Sequence, residues 1–264
     1  MCLIVFAWKV IPGMPLLVAG NRDERYDRPA EAANWWQDHP DVYAGRDLQA
    51  GGTWMGITRD GRFAAITNIR APSEMRDDAP SRGALVSDYL IGSLNADEYL
   101  QQIAKRAADY NGFNLLVGDG QRLLWFSNRA EDDARNGKAL EPGVYGLSNS
   151  LLDCAWPKVV RTKAQFASLL CQGAPEDAFF EMLGDTMCAS DCRLPQTGVS
   201  LERERLLSAV CICSPDYGTR VSTLVKLADG QGPVLIERPA LPYQAGMSIP
   251  TESAKQRCSL NRST

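Results

Sequence analysis

Hydrophobic residues at positions 3–8 run on without alternation, a pattern that predicts a short strand buried on both faces. Pro12-Gly13 reads as a turn, because Pro presets φ and Gly tolerates φ > 0. The chain returns through Leu16-Leu17-Val18-Ala19-Gly20 into the charged run Asn21-Arg22-Asp23-Glu24-Arg25. With the turn centred on Pro12-Gly13, Cys2 is expected opposite Asp23. That register holds only to within about two residues, since Pro15 cannot donate to a ladder and Pro-Gly is not a favoured hairpin turn.

Shorter apolar runs follow. Residues 53–57 and 63–68 flank Asp60-Gly61, a strong hairpin signal that sets Thr53 opposite Asn68 and ends the second strand on Asn68. Residues 113–117 and 123–127 form a hairpin about Gly118-Asp119-Gly120, and the strand at 144–149 again finishes on Asn. Helical spacing appears at 82–94, with Leu85, Tyr89 and Leu90 inward. The next helix begins at Asn95-x-x-Glu98, a capping-box variant, and runs to about 108. Trp156-Pro157 opens a helix to about 170 with Pro in its first turn, and further helices are expected at 175–183 and 201–207. Strands are read at 209–213, 219–227 and 234–237. Between the first hairpin and residue 53, Pro29, Trp35-Trp36, His39-Pro40 and Gly51-Gly52 read as irregular loop, and 71–81 as a polar loop able to cover a site. Hairpins, then helices, then hairpins argue for an α+β domain with helices outside antiparallel sheets. No linker or repeat divides it, so residues 1–247 read as one domain and 248–264 as a polar, flexible tail.

Composition narrows the function classes. Of 264 residues 45% are hydrophobic and 23% charged, and the net charge is −4. Arg and Lys are scattered among a larger number of acids, which argues against nucleic acid. No stretch approaches the length of apolar sequence a membrane span needs, and Met1-Cys2 lacks the basic flank of a secretory signal. Eight cysteines without a secretory context point to reduced thiols and a cytoplasmic protein. Cys188-x3-Cys192 and Cys211-x-Cys213 fit no standard zinc spacing, and the single His39 is distant in sequence. No metal is expected.

The chemistry gathers at the first hairpin. If Met1 is removed, Cys2 carries a thiol and a free α-amine on one residue. The thiolate is the nucleophile, and an amine titrating near 8 can take its proton at neutral pH. The opposing reading is a small buried hydrophobe at the start of a strand.

Several motifs in one order carry a resemblance to a known family. They are Met1-Cys2, Asn21-Arg22-Asp23-Glu24, Gly51-Gly52-Thr53-Trp54-Met55-Gly56, Thr67-Asn68-Ile69-Arg70, Tyr145-Gly146-Leu147-Ser148-Asn149, Trp156-Pro157-Lys158, and Tyr217-Gly218-Thr219-Arg220 with Ser222-Thr223. Together, out to about Pro242, they resemble the NRDE family, also called transport and Golgi organisation protein 2-like. That family in turn is similar to N-terminal-nucleophile hydrolases of the choloylglycine hydrolase and penicillin V acylase branch. The resemblance implies a four-layer αββα sandwich and an N-terminal cysteine that attacks a non-peptide amide.

By order and context Cys2, Asn68, Asn149 and Arg220 match that branch. Its Arg and Asp lie three residues apart, whereas here Arg22 and Asp23 are adjacent and the three-residue spacing belongs to Asn21 and Glu24. The implied roles are nucleophile for Cys2, oxyanion donors for Asn68 and Asn149, thiol activation for Arg22, orientation of the amine by Asp23 or Glu24, and support from Arg220. Asn68 and Asn149 could equally cap strand ends, and residues 22–25 could be a solvated, self-paired turn.

Two further readings stand beside the hydrolase. The resemblance links the family to haem trafficking and to acyl-CoA or lipid metabolism, so the chain could be a carrier. Haem would then be cargo, ligated by Cys2, His39 or a Met, and no cofactor would be required. For acyl-CoA, Arg22, Arg25 and Arg70 could meet phosphates while Trp35 and Trp36 line the apolar part. The last reading is a scaffold whose site is closed to small molecules.

Overall fold

The computed structural model describes residues 2–240 and, for the strand Gln256–Ser259, the backbone. Strand β1 (Cys2–Ile11) and β2 (Met14–Arg25) form the first hairpin. The stretch expected as loop contains β3 (Ala30–Trp35) and β4 (Val42–Asp47), which pair with each other. They lead to β5 (Met55–Thr58) and β6 (Phe63–Asn68). Helices α1 (Ala84–Ile91) and α2 (Ala96–Arg106) follow, the second with the expected reciprocal cap between Asn95 and Glu98. Next come β7 (Phe113–Gly118), β8 (Leu123–Ser127), the short β9 (Lys138–Ala139) and β10 (Gly143–Leu147). Helices α3 (Pro157–Cys171), α4 (Glu176–Leu183) and α5 (Leu201–Leu207) precede β11 (Tyr217–Leu227), β12 (Val234–Pro239) and β13 (Gln256–Ser259).

Two antiparallel sheets result, with orders β10-β1-β2-β11-β12-β13 and β3-β4-β5-β6-β7-β8-β9. Ile4, Phe6, Trp8, Leu16 and Val18 pack between the sheets against Met55, Ile57, Phe63, Leu116 and Trp125. Leu3, Val5, Ala7, Leu17 and Ala19 point the other way, against Val159 and Phe166 of α3 and Phe179, Met182 and Leu183 of α4. Helices α1 and α2 cover the outer face of the second sheet. The unbroken apolar run of β1 is thus the signature of a strand in the middle of a four-layer αββα sandwich. Burying a side chain of this size contributes about 1.5–3 kcal/mol, and β1 does so on both faces.

Four expectations are corrected. The first hairpin begins in the expected register, Ile11 opposite Met14, but shifts before Trp8 meets Leu16. Lys9 and Val10 oppose only Pro15, Lys9 takes φ +50°, and the ladder beyond is displaced by one residue. The second hairpin slips likewise. Thr58 N–H donates to Arg62 O, so the turn holds three residues and Met55 pairs with Ala65. Residues 209–213 are not a strand, because their amides are taken elsewhere: Cys211 N–H by Asp185 O and Ile212 N–H by the Thr219 hydroxyl. Within 248–264, expected as a tail, β13 pairs with β12, and the rest lies outside the described residues.

Candidate active site

The slip in the first hairpin decides which side chain accompanies the thiol. Cys2 and Arg22 are Cα partners across β1–β2. Directly opposed residues leave the sheet on the same face, and a one-residue shift sends a neighbour to the other face. Cys2 and Arg22 therefore line one cavity, of about 430 Å³, together with Glu24, Arg28, Asp47, Trp54, Asn68 and Arg82. The expected partner Asp23 also borders this cavity, but its side chain is turned toward the layer between sheet and helices. There it is buried and its Oδ1 accepts 2.7 Å from Thr219 Oγ1.

Arg22 is held from three sides. Its guanidinium lies 3.7 Å from Asp47 and 3.9 Å from Glu24 and stacks 4.4 Å from the Trp54 ring centroid. Trp54 reaches that place because position 45 is Gly: a Cβ there would collide with the indole. Arg28 Nε donates to the same Asp47 oxygen at 2.7 Å. Arg220 is the extra residue of a bulge between Thr219 and Val221, and it donates to the carbonyls of Arg25 (2.8 Å) and Arg28 (3.0 Å). It braces the chain leaving β2 and stays outside the cavity lining.

Asn68 ends β6 on the cavity wall, and its side-chain amide has no hydrogen bond among the described residues. Asn149 is buried behind it and donates 2.9 Å to the Asn68 carbonyl, while its own carbonyl accepts from Arg70 N–H at 2.8 Å. The adjacent Ser148 hydroxyl donates 3.0 Å to Cys2 O. Asn68 thus presents its side-chain amide to the cavity, and Asn149 holds the Asn68 carbonyl without lining the cavity.

The electrostatics differ from the expected thiol activation. Burial pushes the Cys2 thiol above its ordinary 9.0, with the Asp23 carboxylate adding to the rise; the chain's terminal ammonium and, more weakly, the Arg22 guanidinium oppose it without reversing it. Burial likewise raises Asp23, with Lys158 acting against it. Lys158 is wholly buried, its Nζ has no hydrogen bond among the described residues, and burial lowers it to about 8 while Asp23 pulls it back up. A thiol held neutral attacks only if a base removes its proton during the step.

The other predicted residues lie elsewhere. Asn21 is buried on the helix side, donating to Leu183 O and Val210 O and accepting from Ser222. Arg25 is exposed and paired with Asp27. Arg70 is buried in an ion pair with Glu204 at 2.8 Å, stacked on Trp156, so it is no open phosphate site. Trp35 packs edge-on against Tyr43 beneath Arg59, and Trp36 is buried with its N–H on Ala44 O. Neither lines the cavity, nor does His39. The loop at 71–81 does cover it, through Asp77, Ala79, Pro80 and Ser81, and it is pinned by paired hydrogen bonds between Arg76 and Asn111.

Trp54, Asp47, Arg28, Arg82 and Lys158 were missed. Lys158 had a readable signal, since 158, 162 and 166 share the buried face of α3. Trp54 lay within the motif Gly51–Gly56, whereas Arg82 had none, because the cavity joins segments that no local pattern connects.

Comparison with known proteins adds the following. The family model for Transport and Golgi organisation 2 matches residues 1–241. The transport and Golgi organization protein 2 homolog of Bos taurus is 35% identical over 255 residues, 89% of this chain and 91% of that protein. Among solved structures, penicillin V acylase from Agrobacterium tumefaciens superposes with a TM-score of 0.43 at 12% identity, over 91% of this chain and 83% of that one. The C2A mutant of conjugated bile acid hydrolase from Clostridium perfringens gives 0.47 at 9%, over 100% and 94%. No helix among the described residues is long and apolar enough to cross a membrane.

Proposed function

This chain belongs to the Transport and Golgi organisation 2 family, and we propose that it is an N-terminal-cysteine acyltransferase or amidohydrolase acting on a small amide or acyl compound. The observation that supports the reading most is the pairing of Cys2 with Arg22 on one open cavity wall that also carries the unspent amide of Asn68. A cysteine serving only as core would face one of the apolar layers instead.

In this reading Met1 is removed and the Cys2 α-amine is free. Cys2 Sγ attacks the acyl carbon while the amine takes the thiol proton. Asn68 Nδ2 donates to the carbonyl oxygen as it becomes an oxyanion, and Arg22 offsets the thiolate charge as it forms. The C–N bond breaks, the leaving nitrogen receives the proton from the amine, and the acyl group remains as a thioester on Cys2. Water or an acceptor amine then releases it. Asp23, reinforced by Lys158, orients the amine from the opposite side of the sheet.

Intact-mass measurement on the purified protein tests this. The expected result is loss of Met1 and, with an activated acyl ester, one added acyl group that is absent in Cys2→Ala and lost on hydroxylamine treatment. Retained Met1 with no acylation would reject the reading. Stoichiometric ligand binding that survives Cys2→Ala with no turnover would mark a carrier.

A further inference from the structure

Lys158 is a cation held where a cation is costly. Its side chain is 1% exposed, and among the described residues its Nζ makes no hydrogen bond and no carboxylate lies within ion-pair distance of it. It stands in the first turn of α3, directly after Pro157, where the unpaired amides of the helix already set up a positive potential. The backbone gives no reason for a lysine there, since its carbonyl accepts from Thr162 Oγ1 at 2.7 Å, a bond any residue could make. A buried ammonium in that state is retained at a cost in stability.

The groups that act on it are few. Asp23 pulls its pKa up, Arg70 pushes it down, and Cys2 adds a weaker upward pull. Asp23 in turn feels Lys158, the chain's terminal ammonium and Arg70, and accepts from Thr219 Oγ1. Arg70 is already committed to Glu204 at 2.8 Å. Tyr217, whose hydroxyl donates to the Asp23 carbonyl at 3.2 Å, is kept neutral by burial, and so is the Cys2 thiol. One buried carboxylate, Asp23, therefore faces two candidate counter-charges, the Lys158 ammonium and the terminal amine.

Resting on the acyl-transfer reading above, we propose that Lys158 is a positioning residue that supplies the counter-charge of Asp23, so that the Cys2 α-amine stays neutral and can take the thiol proton. With both nitrogens protonated, this layer would bury one positive charge in excess, since Arg70 and Glu204 cancel. With Lys158 charged and the amine neutral, the charges balance. Without Lys158, Asp23 would hold the amine as an ammonium, which has no lone pair to offer the thiol. The layer excludes water, so a single charge there acts strongly on its neighbours.

The test is an NMR pH titration of protein labelled with carbon-13 cysteine, in which the Cys2 Cα resonance reports the α-amine and is assigned by its absence from Cys2→Ala. In the wild type the midpoint is expected below the ordinary range of about 7.7–8.0. Lys158→Met, which removes the charge and keeps the bulk, should raise it by about one to two pH units, and the acid limb of kcat/KM should move with it. Adding Asp23→Asn to Lys158→Met should bring the midpoint back toward the ordinary range, which a loss of packing would not do. A wild-type midpoint at or above that range overturns the proposal whether or not the variant folds, and so does an unchanged midpoint in Lys158→Met. The titration needs no turnover. A protein that acylates Cys2 yet shows an ordinary amine would sink this proposal and leave the acyl-transfer reading standing, a lowered midpoint without acylation would do the reverse, and Met1 retained in the intact mass would reject both.

Discussion

Cys2 and Arg22 face each other across the first hairpin because Lys9 and Val10 together oppose the single residue Pro15. Without that extra residue the thiol would share a face with Asp23. A bulge near the turn thus selects a cation rather than a carboxylate as the thiol's neighbour at the far end of the ladder.

The first prediction concerns that pair. With the thiol held above its ordinary 9.0 by burial, alkylation of Cys2 by iodoacetamide should still be accelerating steeply about one pH unit above that value, where an ordinary thiol has levelled off. Arg22→Gln removes one of the two opposing cations and should slow labelling at neutral pH by about tenfold for each unit of further rise. A labelling rate that levels off near neutrality in the wild type would contradict the assigned direction.

Asn68 and Asn149 should separate by what they affect. Asn68→Ala removes a donor aimed into the cavity and should lower kcat by about 10²–10³ with little change in stability. Asn149→Ala strips the donor from the Asn68 carbonyl and should cost about 1–3 kcal/mol in urea unfolding. Equal kinetic and stability effects in both variants would remove the distinction.

Arg70 and Glu204 are 5% and 4% exposed and 2.8 Å apart. Arg70→Met leaves a buried carboxylate, which also holds the Thr197 amide and hydroxyl, without its cation. The expected loss is about 3–5 kcal/mol, and Arg70→Met with Glu204→Gln should lose less than the single change. A small loss accompanied by weakened ligand binding would return Arg70 to the site.

Glu237 joins the two sheets, its Oε1 accepting Ala33 N–H at 2.8 Å. Burial raises its pKa from 4.5 to about 7. The folded state therefore holds more protons than the unfolded one between those values. The stability this contributes is complete below pH 4.5 and is lost as pH rises to about 7. Comparison with Glu237→Gln, which keeps the acceptor but does not titrate, should show a pH-dependent difference on the order of 3 kcal/mol across that window. Parallel stability profiles for the two proteins would refute it.

Much of the sandwich was readable because its signals are local. The two-faced run of β1, the Asn95–Glu98 cap and the Pro157 helix start each lie within a few residues of one another. β3 and β4 were not readable, since Ala30–Trp35 lacks alternation and β4 carries Gly45, which answers to Trp54 rather than to any strand pattern. Both hairpin registers slipped by one residue for a related reason. A turn signal marks where the chain reverses but not how many residues the reversal uses, and one extra residue exchanges the faces of all that follow.

By itself the order of residues determined the layers, the family motifs and the thiol at the start of a central strand, because burial periodicity and caps are written in neighbouring positions. Only the tertiary structure decided that Arg22 and not Asp23 flanks Cys2, that Arg70 is bound to Glu204, and that the buried Lys158 acts on Asp23. Charge pairing depends on distances between segments far apart in the chain, and those distances exist only once the two sheets have closed on each other.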